Sequence, residues 1–387
     1  MTQRPVNTVF ASLGETIFET MSALARKHDA VNLGQGFPDD RGQEDVLAAA
    51  SKALLEGSNQ YPSMLGTPEL RQAIAAHEQR FYGHAVDWQT EVLVTSGATE
   101  ALAACLLAIV EDGDEVVLFE PAYDAYAPLV RRAGGVPRFV TLEAPSWMIT
   151  EEALARAFTS RTKAVILNNP HNPAGKVYTR AELEVLARFV LAHDAYAICD
   201  EVYEHIVFDG LAHVPLLTLP GMRARTVKIG SAGKTFSLTG WKVGMIVGPP
   251  ELIRPIGRAH QFLTFTTPPN LQAGVAYGLR KDDAFFRDFA AELQRRRDRL
   301  GDGLRALGWT VLPTSGSYFL NVVLRSTGFT GTDAAFCRHL VEEVGVAAIP
   351  LSAFYEAAPT MDLVRFCFVK QDAVIDRALA RLRGRFS

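Results

Sequence analysis

The chain has 387 residues, enough for one large or two medium domains, with 39 basic and 43 acidic side chains and a formal net charge of −4. Apolar residues make up 48%, which excludes an intrinsically disordered chain, since disorder needs low hydrophobicity and high net charge. The near-balance of charge leaves no electrostatic footprint for nucleic acid or an anionic membrane surface.

The opening, MTQRPVNTVFASLG, has no continuous apolar signal region. The longest apolar run, residues 101–110, is about half a membrane span, so a cytoplasmic protein is expected. No internal repeat, heptad array or low-complexity linker is present. Short β-branched runs at 92–95, 115–119, 164–167, 195–199, 226–229 and 243–247 alternate with helical stretches such as 100–110 and 180–193. The alternation predicts an α/β protein with a mainly parallel sheet and helices on both faces. Near Ala284 the pattern changes. A long helix over 284–307, with the charge run Arg295-Arg296-Arg297-Asp298-Arg299, precedes shorter strands at 309–313, 317–323 and 363–369. This predicts a second, smaller α+β domain, with the charge run as a solvated helix face. Cys105, Cys199, Cys337 and Cys367 lie in apolar runs with no CxxC pair. They are expected as reduced core thiols rather than a structural zinc site.

Ligands of parallel sheets bind beyond the carboxyl ends of the strands. Here those ends carry Ser96-Gly97-Ala98-Thr99, Asn168-Asn169-Pro170-His171-Asn172-Pro173, Asp200-Glu201-Val202-Tyr203 and Ser231-Ala232-Gly233-Lys234. Each group alone has an ordinary reading: an Asp as N-cap, Asn-Pro as a turn, Ser-Gly as a tight loop. Together, on four strands, they mark one crevice. Ser96 to Thr99 open a helix whose unpaired N–H groups attract an anion such as phosphate, and Gly97 lets the backbone come close. Ser231 and Lys242 could add a hydroxyl and a cation if the 243–247 run returns antiparallel; alone, Lys242 reads as a surface lysine. Lys234 follows Gly233 on a tight turn. A partly desolvated lysine near other cations has a lowered pKa and can form a Schiff base. Asp200 ends an apolar strand and needs a cationic or hydrogen-bonding partner. The protonated ring nitrogen of pyridoxal phosphate is such a partner, and that ion pair keeps the ring an electron sink.

The motifs VNLGQGFPD (31–39), NQYPSMLGTPELR (59–71), VTSGATEAL (94–102), EPAYDAY (120–126), NNPHNPAGKVY (168–178), CDEVYEH (199–205) and VRFCFVK (364–370) cover nearly the whole chain. With GSAGKTFSLTGWKVG (230–244), which resembles a pyridoxal-lysine signature, the sequence is identified as a member of the class I aminotransferases, fold-type I pyridoxal-phosphate enzymes. TIFETMSALA (16–25) and HQFLTF (260–265) resemble the methionine, kynurenine and glutamine aminotransferase branch, its bacterial methionine-preferring members most. The resemblance implies a large pyridoxal-phosphate domain over 45–283 with a mainly parallel seven-stranded sheet. It also implies an N-terminal arm with part of a small domain over 1–44, and a small C-terminal domain over 284–387.

Residue by residue, the resemblance implies Lys234 as the Schiff-base lysine and proton shuttle, and Asp200 as the ring-nitrogen partner. Tyr203 and Asn172 match the donors to the ring hydroxyl oxygen, and Tyr123 the stacking aromatic. Gly97, Ala98, Thr99, Ser231 and Lys242 match the phosphate cradle. Tyr61 matches a tyrosine reaching the phosphate from the other subunit, which implies a homodimer. Arg365 matches the arginine for the substrate α-carboxylate, helped by Asn172 and the backbone at Gly36. Phe18, Tyr126 and Phe265 are the implied pocket walls. Dicarboxylate-specific relatives bring a second arginine from the partner-subunit segment, but residues 261–269 contain no cation. Large neutral amino acids are therefore expected over aspartate, with Arg258 a candidate mobile arginine for a glutamate product. Two positions depart from the pattern: Ala174 replaces a threonine without chemical role, and Thr266 replaces a histidine of kynurenine-preferring members.

The implied activity is a ping-pong transaminase taking the α-amino group of methionine, phenylalanine, kynurenine or glutamine to a 2-oxo acid. Rivals are a cysteine-conjugate β-lyase using the same cofactor residues, and another class I aminotransferase such as one for aspartate or succinyldiaminopimelate. A pyridoxal-phosphate-sensing transcription factor would need a DNA-binding domain ahead of residue 30, where no room is expected.

Overall fold

The computed structural model describes residues 4, 6–357, 359 and 361–386. Met1, Thr2, Gln3 and Pro5 of the opening stretch lie outside the described residues. Seven strands form the central sheet, in the spatial order Val92–Thr95, Gly244–Val247, Thr226–Ser231, Tyr196–Asp200, Thr162–Asn168, Glu115–Glu120, Val136–Thr141. Gly244–Val247 runs antiparallel to both neighbours, and every other pairing is parallel. Six of these strands match the predicted runs to within two residues. Val136–Thr141 is the one the sequence does not show. It is an edge strand interrupted by Pro137 and Arg138, and only Val140 is buried, so it needs neither a continuous apolar run nor a full set of amide donors.

Glu115–Glu120, Gly244–Val247 and even the edge strand Val92–Thr95 are buried without exception, because helices cover both faces. Alternate residues enter different cores. Val116, Leu118, Ala164 and Ile166 pack with the helix Ala98–Ile109 on one face, while Val117, Phe119, Val165 and Leu167 join the cluster on the other. That second cluster continues to Phe366, Leu379 and Leu382, so it binds the C-terminal part to the sheet.

Beyond the long helix Asp283–Arg305 lies a small antiparallel sheet of Ile349–Pro350, Leu363–Cys367 and Phe319–Val323. Val31–Asn32 pairs in parallel with Val346–Ala347, which brings the N-terminal segment to the C-terminal part. The expected strand at 309–313 is reduced to a single bridge between Val311 and Val322. Its apolar character serves packing instead, with Trp309 against Phe336 and Phe386. The charge run is only partly a solvated face. Arg297 has a side chain 12% exposed, lies over the Phe208 ring and pairs with Asp209 at 2.6 Å. Arg295 and Arg299 reach Asp372 and Asp376 on the C-terminal helix Asp372–Phe386. All four cysteines are buried and unpaired, as expected. No helix among the described residues is long and apolar enough to cross a membrane.

Candidate active site

The carboxyl ends of the central strands, the 34–37 segment and the small sheet enclose a cavity of about 360 Å³. At its base, the strand Val92–Thr95 turns through Gly97, at φ 87°, into the helix Ala98–Ile109. Gly97 is the N-cap and no side chain caps that end, so the first N–H groups are left for an anion. The expected antiparallel return is present, with Ser231 opposite Gly244, and it delivers Lys242 to the same point. A Cβ on Gly97 would stand 3.0 Å from Lys242 Cε and 3.2 Å from Nζ. Any side chain at 97 would therefore crowd the cation, at a backbone angle that L-residues rarely adopt. Ala98, Thr99 and Ser231 line this end of the cavity.

Asp200 closes the apolar strand Tyr196–Asp200 and is 5% exposed. Tyr126 donates its hydroxyl to Oδ2 at 2.6 Å, and Val202 N–H points at Oδ1 from 3.5 Å. Behind it, Asn168 donates to the Asp200 carbonyl at 2.9 Å and accepts from Asn172 N–H at 2.6 Å, tying two strand ends together. Burial raises the Asp200 pKa against the Tyr126 hydrogen bond. A buried carboxyl facing the cavity with no contacting cation among the described residues fits a ligand that brings one.

Lys234, on the one-turn helix Ala232–Thr235, points at the same space. Its amine donates to the Tyr318 hydroxyl at 2.8 Å. Burial pulls its pKa down to about 8, with Lys242 and Arg365 pushing the same way and Asp200 opposing. Tyr203 is buried beneath, its ring 5.7 Å from the amine. Tyr123 packs edge-on to Tyr126, and burial pushes its hydroxyl up to about 12.

Arg365 stands in the middle of the strand Leu363–Cys367 and is 1% exposed. It donates to Asn172 Oδ1 and to the Gly34 carbonyl, both at 2.9 Å. The guanidinium lies 3.9 Å from the Phe319 ring centroid, with Phe354 at 5.0 Å and Phe18 at 5.2 Å. Burial lowers its pKa to about 10. Its backbone partner is the Gly34 carbonyl, two residues before Gly36, whose backbone is expected to help hold the substrate carboxylate. Gly36 lines the cavity and presses on Phe319, where a Cβ would fall 2.7 Å from the ring.

Phe18 lines the cavity as expected, joined by Phe37 and Phe319, which the sequence does not single out. Tyr126 also lines the cavity, and its hydroxyl is donated to Asp200. Tyr61 and Phe265 do not line this cavity. Tyr61 is 82% exposed, Phe265 39%, and the two pack edge-to-face on the surface. The loop after the helix Pro250–Leu263 turns outward there, with Phe265 at φ 67°. Tyr318 is a further residue that sequence reasoning missed, and Asn168 reads there only as part of a polar strand end, with no role of its own. Asn168 carried a signal in its place at a strand end; Tyr318 sits in an apolar strand motif with none.

A family model described as aminotransferase class I and II matches residues 28–382. The methionine aminotransferase of Escherichia coli strain K12 is 40% identical over 99% of this chain and 100% of its own. Human kynurenine–oxoglutarate transaminase 1 is 37% identical over 93% of each. The solved structure of N-succinyldiaminopimelate aminotransferase from Mycobacterium tuberculosis superposes with a TM-score of 0.95 at 45% identity, covering 98% of this chain and 99% of that one. Since these matches run through all three sheets and through each strand end that faces the cavity, the chain belongs to the class I and II aminotransferases, as a pyridoxal-phosphate-dependent transaminase of fold type I.

Proposed function

We propose that this transaminase takes the α-amino group from a large neutral amino acid (methionine, phenylalanine, kynurenine or glutamine) and passes it to a 2-oxo acid in a ping-pong exchange. The observation that carries the substrate class is the cavity lining. Its cations among the described residues are Lys234, Lys242 and Arg365, set among Phe18, Phe37 and Phe319. With both lysines assigned to the cofactor, one guanidinium remains for the α-carboxylate and none for a second carboxylate. Arg258 is exposed on the helix Pro250–Leu263 and does not line the cavity. Burying an unpaired carboxylate costs several kcal/mol, whereas burying a thioether or phenyl group gains about 1.5–3 kcal/mol.

Pyridoxal phosphate, when bound, supplies a ring that withdraws electrons from the substrate α-carbon. The residues fit it. The uncapped helix end at Gly97, Ala98 and Thr99, with Ser231 and Lys242, would hold the phosphate. Asp200 would pair the ring nitrogen, Tyr123 cover the ring face, and Asn172 and Tyr203 donate to the ring oxygen. Arg365 binds the α-carboxylate through the N–H groups that its two present hydrogen bonds leave free. The Lys234 amine takes the proton from the α-carbon, and its lowered pKa brings the free base within reach of neutral pH. In this reading the active unit is a homodimer in the cytoplasm. Tyr61 and Phe265, with Phe262 86% exposed on the preceding helix, are turned away from their own cavity and available to a second copy.

A second reading is supported by the 45% identity to the mycobacterial chain: an acylated diamino acid with distal carboxylates. Its extra charges would need cations from the partner subunit. The deciding measurement is kcat/KM for methionine against aspartate with one fixed acceptor. A preference for methionine of orders of magnitude is expected, at about 1.4 kcal/mol per tenfold. A ratio below unity overturns the pocket assignment.

A further inference from the structure

Lys234 makes one side-chain hydrogen bond among the described residues, to a tyrosine 84 positions away, Tyr318. The hydroxyl of Tyr318 has its own second partner. It donates to the Gly36 carbonyl at 2.8 Å. A carbonyl oxygen can only accept and a phenol carries one proton, so that proton is committed to Gly36. What Tyr318 offers Lys234 is therefore a lone pair. It takes an N–H of the amine and cannot occupy the amine's own lone pair. The ring has little freedom to do otherwise: it is 1% exposed, packed edge-on against Tyr203 and tilted against Phe319. Gly36 belongs to the same short segment as Gly34, whose carbonyl is held by Arg365. Asp200, Lys242, Arg365, Tyr203 and Cys367 also face the amine, none through a hydrogen bond to it; Tyr203 does so by its ring face.

We propose that Tyr318 is a positioning residue for proton transfer. It holds the free amine of Lys234 by one N–H, leaves the lone pair open toward the substrate α-carbon, and registers the amine to the segment that Arg365 grips on the carboxylate side. This rests on Lys234 being the cofactor lysine and is independent of which amino acid is preferred.

The test uses the pyridoxamine-phosphate form of the holoenzyme, in which the lysine amine is free. Competitive labelling with acetic anhydride across pH, read on the Lys234 peptide by mass spectrometry, gives the pKa of that amine. In Tyr318→Phe it should fall by about one unit, because the ammonium loses an acceptor it uses better than the neutral amine does. An unchanged value, or a rise, overturns the proposal; a rise would mean that the phenol had been donating. With the fastest-reacting amino acid, the single-turnover rate should drop about tenfold to a hundredfold. The α-deuterium isotope effect should grow while substrate affinity stays within about twofold. An unchanged isotope effect also overturns it. If Tyr318→Phe does not fold, 4-fluorophenylalanine at 318 fills nearly the same space with a weak acceptor that cannot ionise, and the pKa must again move down. Borohydride reduction of the unsubstituted holoenzyme should fix the cofactor on Lys234. A label on another lysine overturns the underlying reading, whereas a label on Lys234 with an unmoved pKa overturns only the role of Tyr318.

Discussion

Replacing Arg365 by lysine keeps the charge and removes the shape. The guanidinium now makes two hydrogen bonds at once, to Asn172 Oδ1 and the Gly34 carbonyl, and stacks 3.9 Å from Phe319. Its planar fork can serve both and still present N–H groups to a carboxylate, while one ammonium cannot satisfy all three directions. Losing one charge-assisted hydrogen bond to the substrate costs about 1.5–3 kcal/mol, which is roughly a ten- to hundredfold weaker dissociation constant for the amino acid. The site also works against the newcomer. Burial there draws even an arginine down to about 10, so a lysine would shed its proton more readily and the defect should deepen as pH rises. The assay is a titration of the half-reaction by absorbance. The cofactor spectrum should be unchanged, because Arg365 makes no hydrogen bond to Asp200 or Lys234. An amino-acid affinity equal to that of the unsubstituted enzyme would refute the carboxylate role.

Sedimentation at assay concentrations should show a dimer, and Tyr61→Phe should release cofactor several-fold faster; a fully active monomer would rule out a shared site. His171 is 1% exposed, and burial pulls its pKa from 6.5 to about 3. The folded protein therefore keeps it neutral while the unfolded chain protonates below about pH 6.5. The stability this group contributes is present above that pH and is lost as pH falls toward 3, at up to about 1.4 kcal/mol per pH unit. In urea unfolding between pH 6 and 4, His171→Gln should lose stability less steeply than the unsubstituted protein by up to one proton; equal slopes would contradict this.

The sequence by itself carries the central sheet and most of the residues at its edge. Buried parallel strands read as unbroken apolar runs, and the polar groups that end them are conspicuous because each interrupts such a run. Lys234, Asp200, Asn172 and Ser231 were legible for that reason, and Arg365 because it breaks the apolar Val364, Phe366 and Phe368. Contacts made across the fold leave no such local mark. Tyr318 meets Lys234 and Gly36 across separations of 84 and 282 residues, and Tyr126 meets Asp200 across 74. Lys228 shows the same limit. Within Thr226–Ser231 its sequence neighbours say nothing of a partner, yet it is 2% exposed and bonded to Glu78 and Glu204 from two other parts of the chain. An edge strand such as Val136–Thr141 escapes notice because pairing on one side demands little of its composition. That Phe265 packs on Tyr61 at the surface and does not line the cavity is decided by a single turn after a helix. A side chain's type and spacing fix what it can do, but only the closed tertiary structure fixes what it meets, because hydrogen bonds and ion pairs act over about 3 Å whatever the distance along the chain.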